Sequence, residues 1–164
     1  MNAVSMLEQL QSVAVAALAA TPMFNGAMSA NTQPVPIVTE LKGDIQTQVE
    51  TAIGQVGICA LVMTPFFEFF NELIPSLSGW AQMEVTVFEN VPVNQGNGGT
   101  KIRAIGLTEN VVCVLHHLPT GLPTDPGDED VPKFIGIKKP FVLSGVGPLL
   151  SYTISFQAHV KLIG

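Results

Sequence analysis

Residues 151–162, SYTISFQAHVKL, alternate without a break: Tyr152, Ile154, Phe156, Ala158, Val160 and Leu162 fall on one side, and Ser151, Thr153, Ser155, Gln157, His159 and Lys161 on the other. A period of two over twelve residues specifies a strand with one face on a core and the other toward solvent or a partner. Working outward, Lys133 to Leu143 reads as a neighbouring strand through Ile135, Ile137 and Phe141. Gly79 to Val93 shows the same alternation, with Met83, Val85 and Val87 opposed to Gln82, Glu84 and Thr86. VGICALVM at 56–63 is continuously apolar, as in a strand covered on both faces, although periodicity leaves a buried helix segment open. Ile37 to Leu41 is a candidate short strand. FFEFFNELIPSLSG, 66–79, gathers four phenylalanines around Glu68, and so much apolar surface requires burial in the fold or in an interface.

Three segments carry a helical period instead. In residues 5–20, Met6, Leu7, Leu10, Val13, Ala14, Ala17 and Leu18 recur at three- and four-residue spacing, and Ser5 with Glu8 makes a capping box. Asp44 to Gln55 places Ile45, Val49, Ala52 and Ile53 on one face, with Asp44 as N-cap and Gly54 or Gly57 as stop. Lys101 to Leu118 reads as a long helix capped by Thr100, with Ile102, Ile105, Val112 and Leu115 as its apolar stripe and Pro119 as its end. The order is helix, short strand, helix, strand, strand, helix, strand, strand. Paired strands beside helices predict an α+β fold: a mostly antiparallel sheet of four to five strands with helices packed on one face. With 164 residues and no internal repeat, a single domain is expected over 1–164, in which 1–36 is the N-terminal helix and its connection. PTGLPTDPGDEDVP at 119–132 holds four prolines and four acids, and is expected to be a surface loop.

Charged residues make up only 12% of the chain and apolar residues 47%, against about 25% charged in an average soluble domain. No charged side chain occurs from Gln9 to Thr39. Such an exterior implies surface covered by protein partners in the working state. Seven Lys and Arg against thirteen Asp and Glu leave a net charge of -6, which opposes nucleic-acid binding through phosphate contacts. Thr51 to Phe67, the longest charge-free apolar run considered for a membrane span, has 17 residues, is broken by Pro65, and falls short of the roughly 20 that a bilayer requires. The N-terminus lacks the basic region of a secretory signal and carries Glu8, so no membrane or export role is expected. Cys59 and Cys113, each within an apolar run, read as buried free thiols.

No residue pattern specifies catalysis. GNGGTK at 96–101 is not a phosphate loop, because Ile102 stands where Ser or Thr is needed, and Lys101 stands where a dinucleotide motif has its third glycine. His116 and His117, adjacent at a helix end, diverge and cannot share one ion from one face; a role at the negative end of the helix dipole is expected instead. Asp125, Asp128, Glu129 and Asp130 lack calcium-loop spacing and read as a solvated acidic tip or a contact for a basic partner. No G-x-S-x-G elbow occurs. The expectation is no catalytic residue, no cofactor and no metal.

AQMEVTVFENVPVNQGNGGTKIRAIGLTENVVCVLHHL, beginning at Ala81, combines a V-x-V-x-E-N strand, Val-Asn before a Gly-rich turn with Gly-Thr, and an amphipathic helix ending in Leu-His. This segment resembles the central region of tail terminator proteins of long-tailed bacteriophages and prophages, and the element order over about 44–162 is similar to that family's α+β fold. The resemblance implies a structural virion protein rather than an enzyme: a homo-oligomeric ring, hexameric, which caps the tail tube protein and stops its polymerisation. It then meets the head-completion or connector proteins at the neck, after assembly in the bacterial host cytoplasm. Genomic DNA passes the lumen without specific binding, as an acidic subunit allows. Candidate partner-contact residues are Asn94, Gln95 and Asn97 of the Gly-rich turn and Asp125, Asp128, Glu129 and Asp130 of the acidic loop. Alternatives are a head-closure or tube protein of similar fold, or a small-molecule binding or hydrolytic domain using His116, His117 and the acidic loop.

Overall fold

The computed structural model describes residues 5–28, 33–71, 78–124, 127–143 and 149–161, with backbone alone at 68–71 and 139–143. Its strands are β1 (Ile37–Val38), β2 (Ile58–Val62), β3 (Phe66–Asn71), β4 (Ser78–Asn90), β5 (Lys133–Leu143) and β6 (Leu149–Lys161). The alternating C-terminal stretch, β6, pairs antiparallel with β4 along the full length of both, from Ser78 opposite Lys161 to Asn90 opposite Leu149. β5 lies antiparallel on the outer side of β6. The other side of β4 is shared end to end by β2 and β3, both antiparallel to it. β1 adds a short parallel pair outside β2. The α+β class is the expected one, with six strands instead of four to five and one parallel pair in an otherwise antiparallel sheet.

Strand parity decides what each face meets. Ala60, Val62, Met83, Val85, Ile154 and Phe156 point to one face and form the main core with two helices, α1 (Met6–Ala19) and α5 (Ala104–Leu115). α1 begins at the expected capping box: the Ser5 hydroxyl accepts from the Glu8 amide at 3.1 Å, and the Glu8 carboxylate accepts from the Ser5 amide at 2.8 Å. It buries Leu10, Gln11, Ala14 and Leu18, and a one-turn helix, α2 (Pro22–Asn25), follows it. Gln11 hangs from the Val62 carbonyl at 2.9 Å and donates to Glu40 at 2.8 Å, and Glu40 in turn accepts from the backbone and hydroxyl of Thr64, so the buried amide is satisfied.

The opposite face is not bare, which corrects the expectation of helices on one face only. α3 (Ile45–Gln55), capped by Asp44, sets Ala52 and Ile53 against Cys59 and Leu149, with Leu61 and Phe88 alongside. The continuous apolarity of VGICALVM is the sequence trace of this double cover: Ile58, Ala60 and Val62 serve the main core, Cys59 and Leu61 the α3 layer. The strand expected at 37–41 stops at Val38 and gives way to a 3-10 turn at Glu40–Lys42.

Two boundaries differ from the sequence expectation. The strand expected to reach Val93 ends at Asn90, and Val91–Gln95 forms a single helical turn, α4. The helix expected over 101–118 runs only from Ala104 to Leu115, because Lys101 takes φ +62° before it and His117 takes φ +61° after it. The buried stripe is Ala104, Leu107, Thr108, Val111 and Leu115, so the face turned to the core is set by packing on the sheet. Ile105, expected inside, is half exposed, and Cys113, expected buried, is exposed.

Candidate interaction surfaces

The Gly-rich turn proves to be an internal joint. Glu89, fully buried at the end of β4, accepts from the Asn94 amide at 2.8 Å and from the Ala104 backbone N–H at 2.9 Å, and it forms an ion pair with Arg103, whose Nε lies 3.1 Å away. Its carboxylate therefore meets the positive N-terminal end of α5, whose N-cap residue Arg103 supplies no side-chain cap of its own. Asn94 also donates to the Ile102 carbonyl at 2.7 Å and accepts from the Thr100 hydroxyl at 2.6 Å. Two glycines clamp the same backbone. A Cβ on Gly57, which has φ +85°, would lie 2.1 Å from the Asn94 nitrogen, and a Cβ on Gly99 would lie 2.1 Å from the Asn94 carbonyl oxygen. Asn94 is thus corrected from a candidate partner contact to a buried strut, because every polar atom of its amide is already committed within the fold. Gln95 and Asn97 are exposed.

The acidic loop is tied down more firmly than its composition implies. Thr120 binds the Asp130 carbonyl through its amide at 3.1 Å and its hydroxyl at 2.8 Å, and the Gly121 amide donates to the Asp130 carboxylate at 2.9 Å. Leu122 is buried, and the Lys161 amide donates to the Pro123 carbonyl at 2.9 Å, anchoring the loop to β6. Asp128 lies 3.4 Å from His159 Nε2, and Glu129 pairs with Lys133 at 3.4 Å. Asp128 and Glu129 remain exposed, Asp130 is half-buried, and Asp125 lies outside the described residues. With His117 these acids line an open surface groove.

The histidine pair also departs from expectation. Because the helix ends at Leu115, His116 and His117 do not follow helical geometry, and their rings stack at 4.1 Å instead of diverging. His116 Nδ1 accepts from the Phe134 amide at 3.1 Å, which joins the end of α5 to the start of β5. Among the described residues, no group of three or more His, Cys, Asp or Glu is placed to hold a metal ion. Burial pushes the Cys59 thiol up to about 12, which makes it an inert packing group. No helix among the described residues is long and apolar enough to cross a membrane.

Sequence reasoning missed the β5 edge. Phe134, Ile135 and Ile137 are all substantially exposed there, Ile135 by 52%. Phe134 and Ile137 sit opposite Phe156 and Ile154, so they extend the core face beyond the helices. The signal was present in KFIGIKKP: three lysines, a glycine and a proline within eight residues are the marks of an outer strand. The sheet order bears this out, with β5 last beside β6, and its pairing with β6 carries register shifts at Phe134/Gly136 and Lys138/Phe141. Across β4 and β6 the other sheet face is polar, with Thr86 and Thr153 hydroxyls 3.1 Å apart and Glu84 holding Gln82, Lys138 and Ser155. Phe66, at the start of β3, is 49% exposed, while Phe67 packs on the main core; Phe69 and Phe70 have side chains outside the described residues.

No family model matches the chain, and neither does any curated protein. Among solved structures, a chain of the virion of a native gene transfer agent particle shares the fold. The two are 11% identical, the alignment covers 93% of this chain and 94% of that one, and the TM-score is 0.56.

Proposed function

We propose that this chain is a structural, non-enzymatic subunit of a phage-type particle, and within it a ring-forming tail terminator. The observation that carries the reading is the agreement of fold over nearly the whole of both chains with a component of a gene transfer agent virion. A low charge content and an exposed apolar edge strand support it, since both suit a subunit covered by neighbours. In this reading the subunits close into a hexameric ring on the last ring of tail tube protein, stop its growth and present the other side to head-completion proteins. The net charge of -6 suits a lumen through which DNA passes without being held. Gln95, Asn97, Asp128, Glu129 and Asp130 remain the proposed contacts with those partners.

The same fold agreement supports a tube protein of related architecture, and assembly separates the two. Electron microscopy of the purified protein is expected to show closed rings; filaments of unlimited length would favour the tube reading. Particles lacking the chain are expected to carry overlong tubes or tails detached from heads. Tails of normal length on filled heads would overturn the proposal.

A further inference from the structure

Asparagine followed by glycine occurs twice in the chain, at Asn25–Gly26 and at Asn97–Gly98. This pairing is the one most open to spontaneous loss of the side-chain amide, because no Cβ on the glycine shields the backbone nitrogen that attacks. The structure separates the two sites. The Asn25 amide is held at both ends: its Oδ1 accepts from the Ala27 amide at 2.9 Å, and its Nδ2 donates to the Ala20 carbonyl at 3.3 Å. Asn97 stands in the bend between α4 and Thr100, and both it and Gly98 are exposed. Among the described residues, neither the Asn97 side chain nor the Gly98 N–H has a hydrogen-bond partner, and a Cβ built on Gly98 meets nothing within 4 Å.

We infer that Asn97 is a self-modification site, converted without an enzyme to aspartate and isoaspartate, with water as the only co-reactant. The Gly98 backbone nitrogen gives up its proton to solvent and attacks Asn97 Cγ. A carbon–nitrogen bond forms there, and the side-chain carbon–nitrogen bond breaks, so that the amide nitrogen leaves as ammonia. Water then opens the resulting five-membered succinimide at either carbonyl. Opening at one leaves an aspartate side chain on the original backbone; opening at the other routes the main chain through Cγ, as isoaspartate. Each conversion consumes one water and releases one ammonia, and nothing is oxidised or reduced. The product gains a negative charge and, as isoaspartate, one backbone carbon, two residues before the Gly99 that clamps the Asn94 carbonyl. Subunits converted before assembly therefore carry a new charge at one of the contacts proposed above. The inference itself concerns the free chain and does not rest on the tail-terminator reading.

Timed incubation of the full-length chain at mildly alkaline pH tests it. Samples are digested and read by mass spectrometry, and isoaspartate is labelled by an isoaspartyl methyltransferase with S-adenosylmethionine. A synthetic peptide of residues 92–101 supplies the rate of an open Asn–Gly pair. The expected result is a gain of one mass unit at Asn97 at a rate within about tenfold of the peptide, with methyl label in the same fragment. Conversion of Asn25 is expected to be slower than that of Asn97 by about tenfold or more, because two hydrogen bonds must open first. Asn97→Gln, at an exposed position, is expected to remove the label from this fragment, since glutamine must close a slower six-membered ring. An Asn97 that lags the peptide as far as Asn25 does overturns the inference, as does an Asn97 still unconverted when the peptide has reacted completely. Neither outcome bears on rings, filaments or tail length, so the proposed function is tested separately.

Discussion

Replacing Glu89 with glutamine keeps the shape of the side chain and removes what the joint between β4 and α5 requires. One carboxylate oxygen faces two donors, the Asn94 amide and Arg103 Nε, and the other faces the Ala104 N–H. A glutamine amide must turn its NH2 toward one of those sides, so at least one buried donor meets another donor in either orientation. A buried donor left unsatisfied costs about 1–3 kcal/mol. Losing the negative charge at the start of α5 costs about 0.3–1 kcal/mol more. The Arg103 side chain is 54% exposed, so the lost ion pair adds only about 0–1 kcal/mol, because water replaces the partner. Together these contributions span about 1–5 kcal/mol, with a central expectation of about 3 kcal/mol. With a urea slope of about 2 kcal/mol per molar, that lowers the unfolding midpoint by about 1–2 M. Trp80, the sole tryptophan, lies 5.3 Å from the His159 ring and reports the transition by fluorescence. Measurement at matched protein concentration keeps self-association from entering the comparison. Glu50→Gln, on the exposed side of α3, serves as the control and is expected within about 0.5 kcal/mol of the parent. A Glu89→Gln midpoint equal to that of the control would refute the view that this carboxylate holds the helix.

Further outcomes are open to measurement. Gly99→Ala forces a Cβ onto the Asn94 carbonyl and is expected to cost about 3 kcal/mol or abolish folding, whereas Gly106→Ala, with open space at its Cβ, is expected to leave or raise stability; equal melting temperatures would contradict this. Leu18→Ala, at a fully buried site, is expected to cost about 2–5 kcal/mol in chemical denaturation. A thiol reagent is expected to titrate one cysteine in the native protein, Cys113, and two after denaturation; rapid native reaction of both would place Cys59 at the surface. Because the folded Cys59 thiol is raised from 9.0 to about 12, the unfolded chain ionises first, and the stability it contributes is full below pH 9 and declines from there to pH 12; Cys59→Ala should remove that part of the alkaline decline. At the acid end, hydrogen bonds from the Thr47 hydroxyl and amide lower the Asp44 carboxyl below 3.8, so its stabilisation is full above that pH and is lost as pH falls through the folded value. Asp44→Asn should flatten that limb of the stability curve.

Period and composition made much of this fold legible. The twelve-residue alternation at 151–162 located the central strand, Ser5 with Glu8 located the start of α1, and Asp44 located the start of α3, because each depends on residues a few positions apart. The end of β4 and the start of α5 were not legible. Lys101 takes a left-handed backbone and Asn94 is drawn inside by Glu89, Thr100 and the Ile102 carbonyl, and those partners are chosen by tertiary placement. The short N-x-G-N-G-G-T run therefore looks like a free turn and is a packed joint.

The interaction surfaces divide in the same way. Local chemistry determined the strands, the helix caps, the acidic loop and the scarcity of charge, since these follow from what each residue carries and from its neighbours along the chain. Only the tertiary structure decided which strands lie outermost, which sheet face α3 covers, that Cys113 and Ile105 point outward, and that Asn94 is withdrawn from any partner. The reason is physical. An apolar residue looks the same in sequence whether a helix covers it or leaves it bare, and Phe134, Ile135 and Ile137 stay exposed because α1 and α5 lie mainly over β2, β4 and β6, α5 reaching β5 less extensively.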